Sequence, residues 1–254
     1  MPRTLLTFVA IAALVYIALC VVLFLAQRSF IYYPQARSAS DDRPTLTLRV
    51  DRERILVNTR PGPGADAVIY FGGNAENVSY SLPGLAEAFS ARSLFAMNYR
   101  GYGGSSGKPS EAGLIADALA LFDYVHVDHP HIIVIGRSLG SGVAIHIASE
   151  RPAERLVLIT PYDSLLTIAA GQFGFFPLRW LMLDKFESWH YAPKIAVPTL
   201  LVAAQNDEVI PYASTKSLYD QFRPSVASMT VIRGVDHNGI SESPEYIRAL
   251  AGMP

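Results

Sequence analysis

Ile132-Ile133-Val134-Ile135-Gly136-Arg137-Ser138-Leu139-Gly140-Ser141-Gly142-Val143 is the stretch from which the rest of the chain can be read. Its first four residues form a continuous β-branched run, the pattern of a strand covered on both faces rather than one with a wet side. From Leu139 to Glu150 the pattern turns helical. Between the two lies Gly136-x-Ser138-x-Gly140, the sequence of a tight strand-to-helix turn that lifts a serine hydroxyl clear of a sheet. Glycine on either side of the serine marks places where neighbouring backbone comes too close for a β-carbon. Ser138 is therefore the candidate nucleophile.

A serine hydroxyl is a weak nucleophile and needs a base. On a turn of this kind the chain order is serine, then acid, then histidine. The chain has six histidines. His126, His129 and His131 precede the serine, His146 lies on the helix that follows it, and His190 lies in an aromatic-rich insertion. His237, in the loop Gly234-Val235-Asp236-His237-Asn238-Gly239 after the last apolar strand pattern, is the candidate base. Among the carboxylates between Ser138 and His237, Asp207 follows the run Leu200–Ala204 at a strand's carboxyl end, the edge where sites form in open α/β sheets. It is the candidate acid, with Asp163 next in line. Glu208 faces the other way, and Asp236 is too near His237 in sequence to reach its ring.

A tetrahedral intermediate needs preorganised N–H donors. The sequence offers the main-chain amides of Leu139, after the serine, and Asn74, in the loop Phe71-Gly72-Gly73-Asn74-Ala75 after an early strand. The glycine-rich run Gly101–Lys108 fails as a phosphate loop, because Tyr102 stands where glycine is needed and Pro109 where Ser or Thr is needed. No metal-ligand cluster or cofactor motif is found, so none is expected.

Outward from the turn, apolar strand patterns alternate with helical ones. Strands are expected at Arg54–Asn58, Ala67–Phe71, Ser93–Asn98, His131–Gly136, Arg155–Thr160, Thr199–Ala204 and Ser228–Ile232. Helices are expected at Val78–Ala91, Glu111–Val127, Leu139–Glu150, Ala213–Phe222 and Pro244–Ala251. This is an α/β domain over residues 45–254, with a mostly parallel sheet, helices on both faces and an antiparallel start. Residues 163–192 break the alternation and are too long for a plain connection. They read as a small helical cap, in which Phe176 and Trp180 are candidate substrate-binding residues; the alternative is that these aromatics only pack inward. Arg179 and Lys185 read as solvated charges.

At the start, Leu5–Ala26 is 22 residues without a charge. As a helix it reaches about 33 Å, enough to cross a hydrocarbon core of roughly 30 Å. A signal peptide has a shorter apolar region and a small-residue cleavage site, whereas this run ends in Gln27-Arg28-Ser29-Phe30-Ile31-Tyr32-Tyr33-Pro34. A retained single-pass anchor over 1–27 is expected, then a juxtamembrane linker over 28–44. Arg28, Arg37 and Arg43 after the span outnumber Arg3 before it, which leans toward a cytoplasmic body. A net charge of −1 rules out the basic excess of a nucleic-acid binder, and a single cysteine, Cys20, rules out an intrachain disulfide.

Together these stretches resemble the α/β-hydrolase superfamily of serine hydrolases, over roughly residues 45 to 252. The branch they look like is the membrane-anchored one that includes eukaryotic alpha/beta-hydrolase-domain proteins and their bacterial relatives. Phe30-Ile31-Tyr32-Tyr33-Pro34, Gly72-Gly73-Asn74-Ala75, Asn98-Tyr99-Arg100-Gly101-Tyr102-Gly103, Gly136–Gly140, Asn206–Pro211 and Asp236-His237-Asn238 carry the resemblance. It implies Ser138 as nucleophile, Asp207 as acid and His237 as base. Some relatives remove fatty acyl groups from protein cysteines and others act on lipids. The sequence departs at Gly72, where many relatives have histidine. The expected activity is cleavage of carboxylic esters or thioesters through an acyl-enzyme, on a lipid or an acylated protein met at the membrane. Two alternatives stay open: an amide hydrolase of the serine aminopeptidase kind, and a non-catalytic membrane adaptor on the same fold.

Overall fold

The run at 132–135 lies inside an eight-stranded sheet in the computed structural model, which describes residues 3–37 and 45–252. In chain order the elements are α1 (Arg3–Ile31), β1 (Thr45–Val50), β2 (Glu53–Arg60), β3 (Ala67–Phe71), α2 (Leu82–Ala88), β4 (Ser93–Met97), α3 (Glu111–His126), β5 (Ile132–Arg137), α4 (Leu139–Glu150) and β6 (Arg155–Ile159). They continue with α5 (Leu165–Gln172), α6 (Leu178–Leu181), β7 (Thr199–Ala204), α7 (Tyr212–Tyr219), β8 (Ala227–Ile232) and α8 (Pro244–Ala251). Strand order is β1-β2-β4-β3-β5-β6-β7-β8. β1, β2 and β4 pair antiparallel, and every pairing from β4 through β3 to β8 is parallel.

The continuous apolar runs sit where two-sided burial demands them. Ile132, Val134 and Ile135 are fully buried, as are Leu156, Val157, Leu158 and Ile159 beside them. One face of the sheet packs against α3, α4 and α7, the other against α2 and α8. Helix α3 shows how the sequence sets an element. Ser110 caps it, its hydroxyl accepting from the Gly113 N–H at 3.2 Å. Leu114, Leu121, Phe122 and Val125 then form its buried stripe, each contributing about 1.5–3 kcal/mol by leaving water.

Three features differ from the sequence expectation. The helix expected at Val78–Ala91 is a short turn at Val78–Tyr80 followed by α2 at Leu82–Ala88, restarted where Pro83 fits a first turn. β1 is an additional edge strand, with Leu48 its one buried residue. The apolar helix runs through the boundary at Gln27 and ends at Ile31, because its last turn docks on the body. Gln27 donates to the Leu181 carbonyl at 3.1 Å and accepts from the Leu183 N–H at 2.7 Å. Arg28 pairs with buried Asp184 at 2.8 Å. Tyr32 is fully buried, its carbonyl accepting from Ala75 N–H and the Tyr102 hydroxyl. Residues 38–44 of the expected linker, Arg43 among them, lie outside the described residues. Helix α1 has 29 residues, about 43 Å, and is long and apolar enough to cross a membrane by length and composition.

Candidate active site

Strand β5 delivers the chain to Ser138 and α4 carries it away, so the serine must turn sharply between them. Its backbone sits at φ 48°, ψ −117°, a strain of about 1–3 kcal/mol that the surroundings must hold. The flanking glycines show how tight the turn is. A β-carbon at Gly136 would stand 2.2 Å from the Gly140 carbonyl oxygen, and one at Gly140 would stand 2.1 Å from that of Phe71. The turn raises the serine Oγ above the carboxyl edge of the sheet, at the positive N-terminus of α4.

Three side chains meet there from three loops. Ser138 Oγ is 3.0 Å from His237 Nε2, and His237 Nδ1 is 2.8 and 3.0 Å from the two Asp207 carboxylate oxygens. Asp207 is held in turn: its Oδ1 accepts from the N–H groups of Val209 at 2.9 Å and Ile210 at 2.7 Å. The Asp207 contact to Nδ1 leaves Nε2 free to accept a proton from the serine. The other carboxylates weighed in the sequence are occupied elsewhere. Asp163 accepts from Ser214 Oγ at 2.6 Å, and Asp236 accepts from the Asn238 and Gly239 N–H groups.

The loop after β3 brings Gly73 and Asn74 to the same place. A β-carbon built at Gly73 would lie 3.5 Å from the Ser138 β-carbon. Asn74, Leu139 and Ser138 together line one cavity of about 210 Å³. Beneath the loop lies a residue that sequence reasoning missed. One Glu76 oxygen accepts from the Tyr70 hydroxyl at 2.8 Å and Ser81 Oγ at 2.7 Å; the other accepts from Gly73 N–H at 2.6 Å and Arg137 Nη1 at 3.1 Å. Arg137 reaches on to the His237 carbonyl at 3.3 Å. One buried ion pair thus joins the loops that carry Asn74, Ser138 and His237. Burial, with Glu76 adding to it, raises the Tyr70 phenol well above its ordinary value, so it stays a donor. The same carboxylate explains Gly72: a β-carbon there would stand 2.6 Å from Val78 Cγ1 and 3.0 Å from Glu76 Cδ.

The cap does reach the site, but through different residues from those expected. Leu165, Ile168 and Phe173 line the serine cavity, whereas Phe176 and Trp180 do not. Phe176 stacks on Tyr16 of α1 with ring centroids 5.7 Å apart, and Trp180 is 84% exposed. The reason is that α1 lies along the cap: Tyr16 hydroxyl donates to the Phe175 carbonyl at 2.9 Å, which turns this end of the cap toward the helix and away from Ser138.

A hydroxyl within reach of a carboxylate-oriented imidazole, in a cavity also lined by Asn74 and Leu139, is equipped to attack a carbonyl carbon. A family model described as alpha/beta hydrolase fold matches residues 66–188. An uncharacterized protein of Mycobacterium tuberculosis is 32% identical over 249 residues, spanning 91% of this chain and 87% of that one. The lysophosphatidylserine lipase ABHD12 of Xenopus tropicalis is 32% identical over 153 residues, spanning 52% of this chain and 39% of that one. Among solved structures, the esterase Pf2001 of Pyrococcus furiosus aligns with a TM-score of 0.71 at 18% identity, over 87% of this chain and 97% of that one. At that identity the likeness speaks for the fold alone.

Proposed function

The chain belongs to the α/β-hydrolase superfamily, and from that premise we propose that it is a membrane-anchored serine hydrolase that cleaves carboxylic esters or thioesters through an acyl-enzyme. The observation that carries the proposal is the 3.0 Å approach of Ser138 Oγ to His237 Nε2, with Asp207 behind the ring. In this reading Ser138 Oγ attacks the acyl carbonyl while His237 Nε2 takes its proton. The negative oxygen is received by the N–H groups of Leu139 and Asn74. His237 then gives the proton to the departing alcohol or thiol. Water repeats the sequence on the acyl-serine and frees the acid. Asp207 keeps its charge throughout and stabilises the imidazolium.

An ester of a lipid is the favoured substrate. The lipase named above supports that class, as does the apolar lining of the serine cavity by Leu165, Ile168 and Phe173. Helix α1 supports retention at a membrane, where such substrates are concentrated. The test is labelling by a fluorophosphonate probe together with intact mass of the extracted protein. Wild type is expected to label at its full length. Ser138→Ala is expected not to label and to lose roughly 10⁴ to 10⁶ in turnover. Equal labelling of the alanine variant overturns the nucleophile, and a mass lacking the first residues through Ala26 overturns the anchor.

A further inference from the structure

Two cavities meet where α1 joins the cap. The one that holds Ser138, Leu139 and Asn74 is about 210 Å³. The other, about 90 Å³, extends to Leu23 and Gln27 on α1 and to Leu178 and Leu181 on α6. Phe30, Ile31, Ala169, Phe173 and Met182 line both, so one apolar surface runs from the serine to the flank of α1. Between Ile31 and Leu23 the helix covers about 12 Å of that path. Gln27 is the one polar residue lining the outer cavity, and both ends of its amide are engaged within the protein. Nε2 donates to the carbonyls of Phe24 at 2.7 Å and Leu181 at 3.1 Å, and the oxygen accepts from Leu183 N–H. Nothing on this wall asks a ligand for a hydrogen bond.

The wall is fixed rather than leaning. Gln27 and the Arg28–Asp184 pair pin its body end, and the Tyr16–Phe176 stack pins it further out. Beyond the outer cavity the surface stays apolar: no residue of the hydrophobic stretch of α1 is fully buried, and Phe175 and Trp180 of the cap are 93% and 84% exposed. Apolar exposure on this scale marks a surface that meets lipid or a partner.

We propose that α1 is one wall of the acyl-binding site, and that the site takes the acyl chain of an ester lipid entering from the bilayer along the groove between α1 and the cap. The proposal rests on Ser138 being the nucleophile. The lipid's carbonyl sits at Ser138, its chain passes Phe30, Ile31 and Phe173, and its tail ends near Leu23. The occupant is an acyl chain because the groove is continuous with the cavity of the serine and offers only apolar contact along its outer part. Each methylene it receives is expected to raise kcat/KM about fourfold until the groove is full.

The experiment uses the full chain in liposomes and a dodecyl fluorophosphonate with a terminal diazirine. Attack by Ser138 Oγ forms the P–O bond and expels fluoride, with the serine proton passing to His237; light then releases N₂ and the carbene inserts into its nearest neighbour. Cross-links to residues 22–31 of α1 and to 165–182 of the cap are expected. Cross-links confined to other segments overturn the inference while the labelled serine stands. No labelling at all overturns the nucleophile, and the inference with it. A second measurement is the ratio of kcat/KM for dodecanoyl over acetyl esters. Leu23→Trp, by displacing about two methylenes, is expected to lower that ratio about fifteenfold. Leu14→Trp, on the exposed flank of α1, is expected to leave it unchanged. An unchanged ratio in Leu23→Trp also overturns the inference.

Discussion

Replacing Glu76 by glutamine isolates what the ion pair under the oxyanion loop does. The carboxylate accepts four hydrogen bonds, two on each oxygen. A carboxamide has one oxygen. If that oxygen keeps Gly73 and Arg137, the NH₂ group faces the hydroxyls of Tyr70 and Ser81, which can turn to accept. The geometry survives, but the charge does not. Bonds to a charged group contribute about 1.5–3 kcal/mol and neutral ones about 0.5–1.5, so weakening the Gly73 and Arg137 bonds costs about 2 kcal/mol in total. Glu76→Ala is worse, about 3–5 kcal/mol, because Arg137, only 15% exposed, then loses the acceptor oxygen as well as the anion. The functional loss follows from Gly73, whose N–H bond to Glu76 holds the Gly72–Gly73 peptide, the unit just before the one that carries the Asn74 N–H. Deleting an oxyanion donor outright costs about 10²–10³ in kcat. A donor that is present but poorly aimed should lose about 10- to 100-fold, with KM within about threefold of wild type. The assay is steady-state hydrolysis of p-nitrophenyl butyrate by the full chain in detergent, with urea unfolding alongside. A Glu76→Gln enzyme with kcat within about twofold of wild type, or with its loss wholly in KM, refutes the positioning role.

Gly72 and Gly171 make a matched pair. Gly72→Ala drives a β-carbon against Val78 and Glu76 and is expected to cost about 1–3 kcal/mol in urea unfolding. Gly171→Ala, on exposed α5 with nothing within 4 Å, is expected to stabilise by about 0.5–1 kcal/mol; the reverse order would contradict the packing described for the loop. Glu111 sets a pH dependence. Burial raises its carboxyl above the ordinary value, against the N–H groups of Phe186 and Lys185, which pull it down. An acid raised in the folded state holds its proton more tightly folded than unfolded. Its contribution to stability is therefore full below the unfolded value and declines as pH rises through the window up to the folded one. The stability of wild type minus that of Glu111→Gln should accordingly fall from roughly pH 4 upward and then level off; a difference that grows with pH would be the wrong sign.

Much of the site could be read before the structure because its parts carry local signatures. The turn at Ser138 announces itself by β-branched residues before it and glycines around it. His237 and Asp207 emerge from chain order and from their places after strands. What could not be read depends on neighbours far away in sequence. Strand β1 alternates over only six residues and buries one of them, too weak a pattern beside the charges of Arg49 to Arg54. Glu76 looks like a solvated charge in a polar turn until the fold supplies Arg137, 61 residues later. Phe176 and Trp180 have the composition of a pocket, and composition does not say which side of a short helix faces the serine. That was decided by α1, whose contact with the cap no periodicity reveals.

The contact between Gln27 and Leu181 also imposes an order in time. The two residues are 154 apart in the chain, and synthesis proceeds at about 5–20 residues per second, so helix α1 emerges roughly 8–30 s before the segment that docks on it. During that interval Leu23, Phe30 and Ile31 have no protein partner and must be sheltered by something else. In cell-free translation, lipid discs supplied while the ribosome works should therefore yield folded chain, whereas the same discs added afterwards should meet chains already lost to aggregation.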